Sequence, residues 1–201
     1  MLTTIFFFAV LTVGWTRMRE PSVHYAVCNL RPSSVLPNNI TGTIYFRQTH
    51  GARKRKDRYM QVQVDVDNVS LLDNTNKHGF HVHEFGDTSA GCPSMGPHYN
   101  PRGTLHGDIM NQPTDRHVGD WGNLQQDPVS GKIKVYFVDY LTKLHGPESI
   151  LGRGVVLHAG QDDLGVNKTD PGSTSTGNSG ARLACCVIAR SAPIPDDKFM
   201  P

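Results

Sequence analysis

The clearest pattern in the chain is a strict alternation: Met60, Val62, Val64 and Val66 are apolar, with Gln61, Gln63, Asp65 and Asp67 polar. A period of two marks a strand with one buried face. The run Thr43-Ile44-Tyr45-Phe46 precedes it across a charged tip, and the two runs predict a hairpin. Further runs rich in β-branched and aromatic residues predict strands near Tyr25 to Leu30, Gly79 to Phe85, His117 to Leu124, Ile133 to Asp139, Gly154 to His158 and Leu183 to Ala189. Short strands at this spacing imply an all-β fold, an eight-stranded Greek-key β-barrel or sandwich.

Two stretches break the rhythm, Gly86 to Arg116 and Ala159 to Ala181, both dense in Gly, Pro, Asn, Asp, Ser and Thr. Loops this long without periodicity usually carry function. Histidines lie within or beside both, so they are expected to be ordered, site-building loops.

At the N-terminus, Leu2 to Trp15 form an apolar run, and the first charged residue is Arg17. As a helix this run reaches about 21 Å, short of the roughly 30 Å of bilayer hydrocarbon. Residues 1–16 are therefore expected to be a signal peptide, with an uncleaved anchor as the alternative. No later segment predicts a membrane span. The expected organisation is a single domain over 22–191 and a Pro-rich tail over 192–201. Asn39, Asn68 and Asn167 open candidate N-glycosylation sequons that fit export to an extracellular location.

Composition narrows the picture modestly. Twenty glycines and thirteen prolines against 37% hydrophobic residues suit a loop-rich β protein better than a helical bundle. A formal net charge of +2 is too small for a nucleic-acid-binding protein, though it suits a small anionic substrate.

The candidate chemistry lies in the histidines. His81 and His83 sit two apart on a predicted strand, so both rings share a face with backbones about 6.6 Å apart, close enough to converge on one ion. Imidazole nitrogen suits copper and zinc. Gly96-Pro97-His98-Tyr99, Leu105-His106-Gly107 and Arg116-His117-Val118-Gly119-Asp120 add three histidines and a carboxylate, a closed zinc set of the structural type. His158 ends another predicted strand.

The segments GFHVHEFGD, GCPSMGPHYNP, RHVGD, VVLHAGQDDLG and TGNSGARLAC, in this order, closely resemble the copper/zinc superoxide dismutase family. The resemblance runs from about Tyr25 to Ala189. It implies that His81, His83, His98 and His158 bind copper, and that His98, His106, His117 and Asp120 bind zinc, with His98 bridging the ions. It also implies that Arg182 docks the superoxide anion, that Asp162 links His81 to His106, and that Thr176 narrows the channel mouth. His24, His50, His78 and His145 match no family ligand and are expected at the surface or in packing.

The resemblance further implies a homodimer and a Cys92–Cys185 disulfide. Cys28 and Cys186 keep two readings, a second bridge or two buried thiols. The chain departs from the family pattern in three places. His106 and His117 lie farther apart than is usual, Trp121 stands where Leu is common, and Val166 to Ser175 lacks the charged residues that many members use to guide superoxide.

The basic cluster Arg53, Lys54, Arg55, Lys56 and Arg58 is expected at the hairpin tip. It suits an anionic polysaccharide, or simply a solvated tip. Two other functions are weighed against catalysis: a non-enzymatic metal carrier on the same scaffold, and a matrix-binding protein whose metal site only stabilises the fold. Retention of every copper ligand and of Arg182 argues against the carrier.

Overall fold

The computed structural model describes residues 22–36, 38–50, 59–69 and 76–199. The apolar run before Arg17 and the basic cluster at 53–58 lie outside the described residues. Strands β1 (Ser22–Pro32), β2 (Thr41–His50), β3 (Met60–Asp67), β4 (Lys77–His83), β5 (Asp120–Gln125), β6 (Ile133–Asp139), β7 (Gly154–His158) and β8 (Arg182–Val187) form one antiparallel sheet, in the order β5-β4-β7-β8-β1-β2-β3-β6. This is a nearly closed Greek-key barrel, in which β3 to β4 and β6 to β7 are the crossing connections. A short β9 (Ala189–Arg190) pairs with β1 beyond the break at Ile188.

The alternation of β3 is realised as expected: Met60, Val62, Val64 and Val66 point into the core. In the β2–β3 ladder Ile44 faces Val64 and Phe46 faces Val62. Burying four such side chains contributes on the order of 6 to 12 kcal/mol. Strand β7 has no alternation because both its faces are covered. Val155 and Leu157 join the main core, while Val156 packs against Cys92, Met95 and Cys185 under the first long loop.

Alternation also decides the disulfides. Cys185 and Cys186 are adjacent in β8, so they point to opposite faces. Cys186 reaches inward to Cys28, with Cα atoms 5.4 Å apart, and Cys185 reaches outward to Cys92, at 5.7 Å. Both bridges are formed, which removes the free-thiol reading of Cys28 and Cys186.

Strand β5 starts at Asp120 rather than His117, because His117–Gly119 form a turn closed by Asp120 N–H on the His117 carbonyl. The tail after Arg190 is not separate from the barrel. Pairing of β9 with Ala26 and Val27 carries the chain across β2, where Asp196–Phe199 form a 3-10 turn. Phe199 is buried beneath the Arg47 guanidinium, 4.5 Å from its ring centroid, and Arg47 also pairs with Asp196. Among the described residues no helix is long and apolar enough to cross a membrane.

Candidate metal centre

Phe80 and Val82 of β4 fill the core, so the period of two turns His81 and His83 to the other face, towards the two long loops. There they meet His98 from the first loop and His158 from the end of β7. His98, His106, His117 and Asp120 form a second group, and within each group the candidate ligand atoms lie within 4.8 Å of one another. His98 belongs to both groups, its ring centroid 4.1 Å from that of His81. All seven residues are buried.

Outer hydrogen bonds set the rings. Asp162, fully buried, accepts from Nε2 of His81 through one carboxylate oxygen and from Nε2 of His106 through the other, both at 2.8 Å. A proton held on Nε2 leaves His81 Nδ1 as a lone pair turned to the first group, while His106 Nδ1 faces an Asp120 oxygen at 3.0 Å. Asp162 is itself fixed by a reciprocal pair with Asn123, whose amide donates to the Asp162 carbonyl and accepts its backbone N–H. His83 Nδ1 bonds the Gly96 carbonyl at 2.9 Å and His158 Nδ1 the Gly180 carbonyl at 3.1 Å. Donation to those carbonyls leaves the His83 and His158 Nε2 lone pairs facing each other at 3.3 Å.

This arrangement calls for a cation. His81 Nδ1 and His98 Nε2 are buried with no hydrogen-bond partner, and His106 Nδ1 and His117 Nδ1 are buried facing Asp120 oxygens at 3.0 and 3.2 Å without hydrogen-bond geometry. Each such orphan costs about 1 to 3 kcal/mol when nothing satisfies it. Every one of these nitrogens points into one of the two groups, where a metal ion would satisfy it, and imidazole with carboxylate is a donor set that suits copper and zinc.

The electrostatics differ between the two groups. In the first, burial and the neighbouring His98 and His158 push His81 well down, and burial and His98 lower His158 to about 3. His83 is lowered well below its ordinary value by the same burial, His98 and His158, with Arg182 adding to it. These rings are neutral, as metal ligands must be. In the second group burial opposes charge at His106, but its contacts with Asp120 and Asp162 prevail and raise it to about 9. Burial likewise works against ionised Asp120, yet His106, His117 and His98 hold its carboxyl well below the usual range.

Beside the first group opens a cavity of about 330 Å³ lined by His83, His98, His158, Thr176, Asn178 and Arg182, among others. The Arg182 guanidinium is held by the carbonyls of Cys92 and Gly96, at 2.8 and 2.6 Å. Thr176 ends a short helix α1 (Pro171–Thr176), capped at its start by the Asp170 side chain. The seven candidate ligands, Asp162, Thr176 and Arg182 thus converge here, and His78 is a packing histidine, buried between the His158 carbonyl and Gln126.

Sequence reasoning missed two residues. Gly177, at φ 65°, sits where any β-carbon would collide with Asp162 and the His106 ring. Asn178 lines the cavity and donates to Asp163 and Asp170, both at 2.8 Å, tying the second loop together. The Gly-Asn pair reads as a turn in sequence, which says nothing about what the turn surrounds.

A family model described as copper/zinc superoxide dismutase matches residues 40–188. The extracellular Cu-Zn superoxide dismutase of Rattus norvegicus is 40% identical over 184 residues, 90% of this chain and 69% of that protein. The Cu-Zn superoxide dismutase of Schizosaccharomyces pombe is 47% identical over 163 residues, 81% of this chain and 96% of that protein. That of Neurospora crassa is 45% identical over 154 residues, 77% of this chain and 92% of that protein. Two ion-sized pockets that share an imidazole, and a match across most of the barrel, lead to one assignment: the chain belongs to the copper/zinc superoxide dismutase family.

Proposed function

We propose that this chain disproportionates superoxide to oxygen and hydrogen peroxide, with copper held by His81, His83, His98 and His158 and zinc by His98, His106, His117 and Asp120. The observation that carries this reading is the shared ring of His98, whose Nε2 is an orphan in the first group while Nδ1 lies 3.0 Å from Asp120 in the second. When bound, copper supplies the one-electron couple that stores an electron between two superoxide ions, and zinc supplies a redox-inert charge.

The protein's own residues do the rest. Arg182 faces the cavity with a planar, permanently charged fork that suits a small anion. Between the two half-reactions His98 Nε2 would take a proton from water and hold it. It would deliver that proton to the second superoxide, water giving the other, so that with the electron the bound couple would supply the product is hydrogen peroxide. Asp120, 3.0 Å from His98 Nδ1, would keep the ring in place as Nε2 gains and gives up the proton, and Asp162 steadies the two flanking rings through their Nε2 atoms. Thr176 and Asn178 bound the entrance and limit what reaches it.

We also infer secretion and a homodimer. Two disulfides suit an oxidising compartment, and Asn39, Asn68 and Asn167 are all exposed, as glycan acceptors must be. Phe85, 53% exposed two residues after His83, offers an apolar anchor for a second copy. The deciding experiment is elemental analysis and a superoxide-consumption assay on one purified sample. One copper and one zinc per chain with fast turnover is expected; metal-loaded protein that leaves superoxide to decay spontaneously overturns the reading.

A further inference from the structure

Strands β5 and β6 follow each other in sequence, yet they end opposite edges of the hydrogen-bonded order, so the barrel has a seam between them. The second histidine group lies at one lip of that seam, since Asp120 is the first residue of β5. Among the described residues no ladder crosses the seam here. Side chains do, and they meet at Asp139, the last residue of β6, which is only 1% exposed.

One Asp139 oxygen accepts from Arg116 Nη2 at 2.5 Å and from the Leu141 N–H at 3.1 Å. The other accepts from the Trp121 indole Nε1 at 3.2 Å, the Thr142 N–H at 3.0 Å and the Thr142 hydroxyl at 2.7 Å. The Leu141 and Thr142 bonds fix the carboxylate to its own side of the seam. The Arg116 and Trp121 bonds cross it, and they bracket the second group: Arg116 precedes His117, and Trp121 follows Asp120.

Arg116 ties the bracket further, because its Nη1 donates to the Asp120 carbonyl at 2.8 Å while its Nε is buried without a partner. Among the described residues its orientation is therefore set by Asp139 and the Asp120 carbonyl. Thr104, in the same loop, donates to the Arg116 carbonyl at 2.7 Å. The Trp121 ring is wedged against Phe46, Phe80 and Phe137, with centroids 6.1, 5.4 and 5.7 Å away, so its N–H has little freedom of direction. A leucine in its place would fill part of that space and donate nothing.

We propose that Asp139 is a positioning residue for the second metal group, clamping it across the barrel seam through the Trp121 indole and the Arg116 guanidinium, and so sets how firmly this chain holds zinc. The inference rests on zinc occupying that group. Loss of a group that orients metal ligands from outside typically weakens metal binding by about 10- to 100-fold. Trp121→Phe is the mild variant, because it keeps an aromatic ring in the core and removes only the N–H. Asp139→Asn is the severe one, because it leaves a buried guanidinium without its counter-charge.

The test loads wild type, Trp121→Phe and Asp139→Asn with both metals, exposes them to a chelator, and follows zinc and copper release separately by elemental analysis. In parallel, cobalt(II) is placed in the second group as a visible-absorption probe of its geometry. The clamp predicts zinc release on the order of tenfold faster in Trp121→Phe, more in Asp139→Asn, with copper release unchanged and a shifted cobalt spectrum. If Asp139→Asn does not fold, Trp121→Phe decides. A wild type that takes up no zinc defeats the metal assignment itself. A wild type that holds zinc, beside a folded Trp121→Phe that releases it at the same rate or loses both metals equally faster, defeats the clamp alone.

Discussion

Arg182 is the register partner of His158 across β7 and β8, at the point where the pairing shifts by a residue. One backbone ladder therefore positions both the guanidinium and the imidazole that line the cavity. In a regular ladder His158 would face Leu183; the extra residue leaves Leu183 in the core and brings Arg182 opposite His158, on the same face.

Arg182→Ala should leave copper content intact and reduce kcat/KM by about tenfold or more, the effect of losing one charge-assisted contact to an anion. Arg182→Lys should recover part of the rate, because it keeps the charge but cannot span the carbonyls of Cys92 and Gly96. Copper analysis beside steady-state kinetics checks both, and equal rates for Ala and wild type would remove Arg182 from the reaction.

His83→Ala removes an imidazole from the first group only. Copper and activity should be lost while zinc remains, with the barrel folded by far-ultraviolet circular dichroism. Normal turnover in this variant contradicts the ligand assignment.

The two disulfides should behave differently. Replacing Cys28 and Cys186 by alanine should cost about 2 to 5 kcal/mol in denaturant unfolding, because the bridge closes a long loop, and should leave kcat/KM of the folded fraction unchanged. Replacing Cys92 and Cys185 should lower stability by a similar amount and kcat/KM as well. The Cys92 carbonyl is an acceptor for Arg182, and the bridge ties that loop covalently to β8. Urea titrations and kinetics on both variants separate the two effects.

The docked C-terminus should also be measurable. Phe199→Ala should lower stability by about 2 kcal/mol, the value of a buried aromatic side chain, with turnover unaffected because β2's outer face is remote from the cavity. Unfolding midpoints of the variant and the wild type check this; an unchanged midpoint would mean that the turn at Asp196–Phe199 does not cover the barrel in solution.

Much of this protein was legible in its sequence. The alternation in β3 identifies a buried face because side-chain direction along a strand has a period of two, and that rule needs no partner. The same rule places His81 and His83 together, and the ordered motifs around His98, His117 and His158 identify the family. Folding had to supply whatever depends on segments distant in sequence. Cys28 lies 158 residues from Cys186, and no local pattern tells whether they meet. The docked Phe199, the close approach of Gly177 to Asp162 and His106 and the side-chain closure of the seam at Asp139 are likewise contacts between far-apart segments. Periodicity records which way a side chain points, and only the packed barrel decides what it meets there.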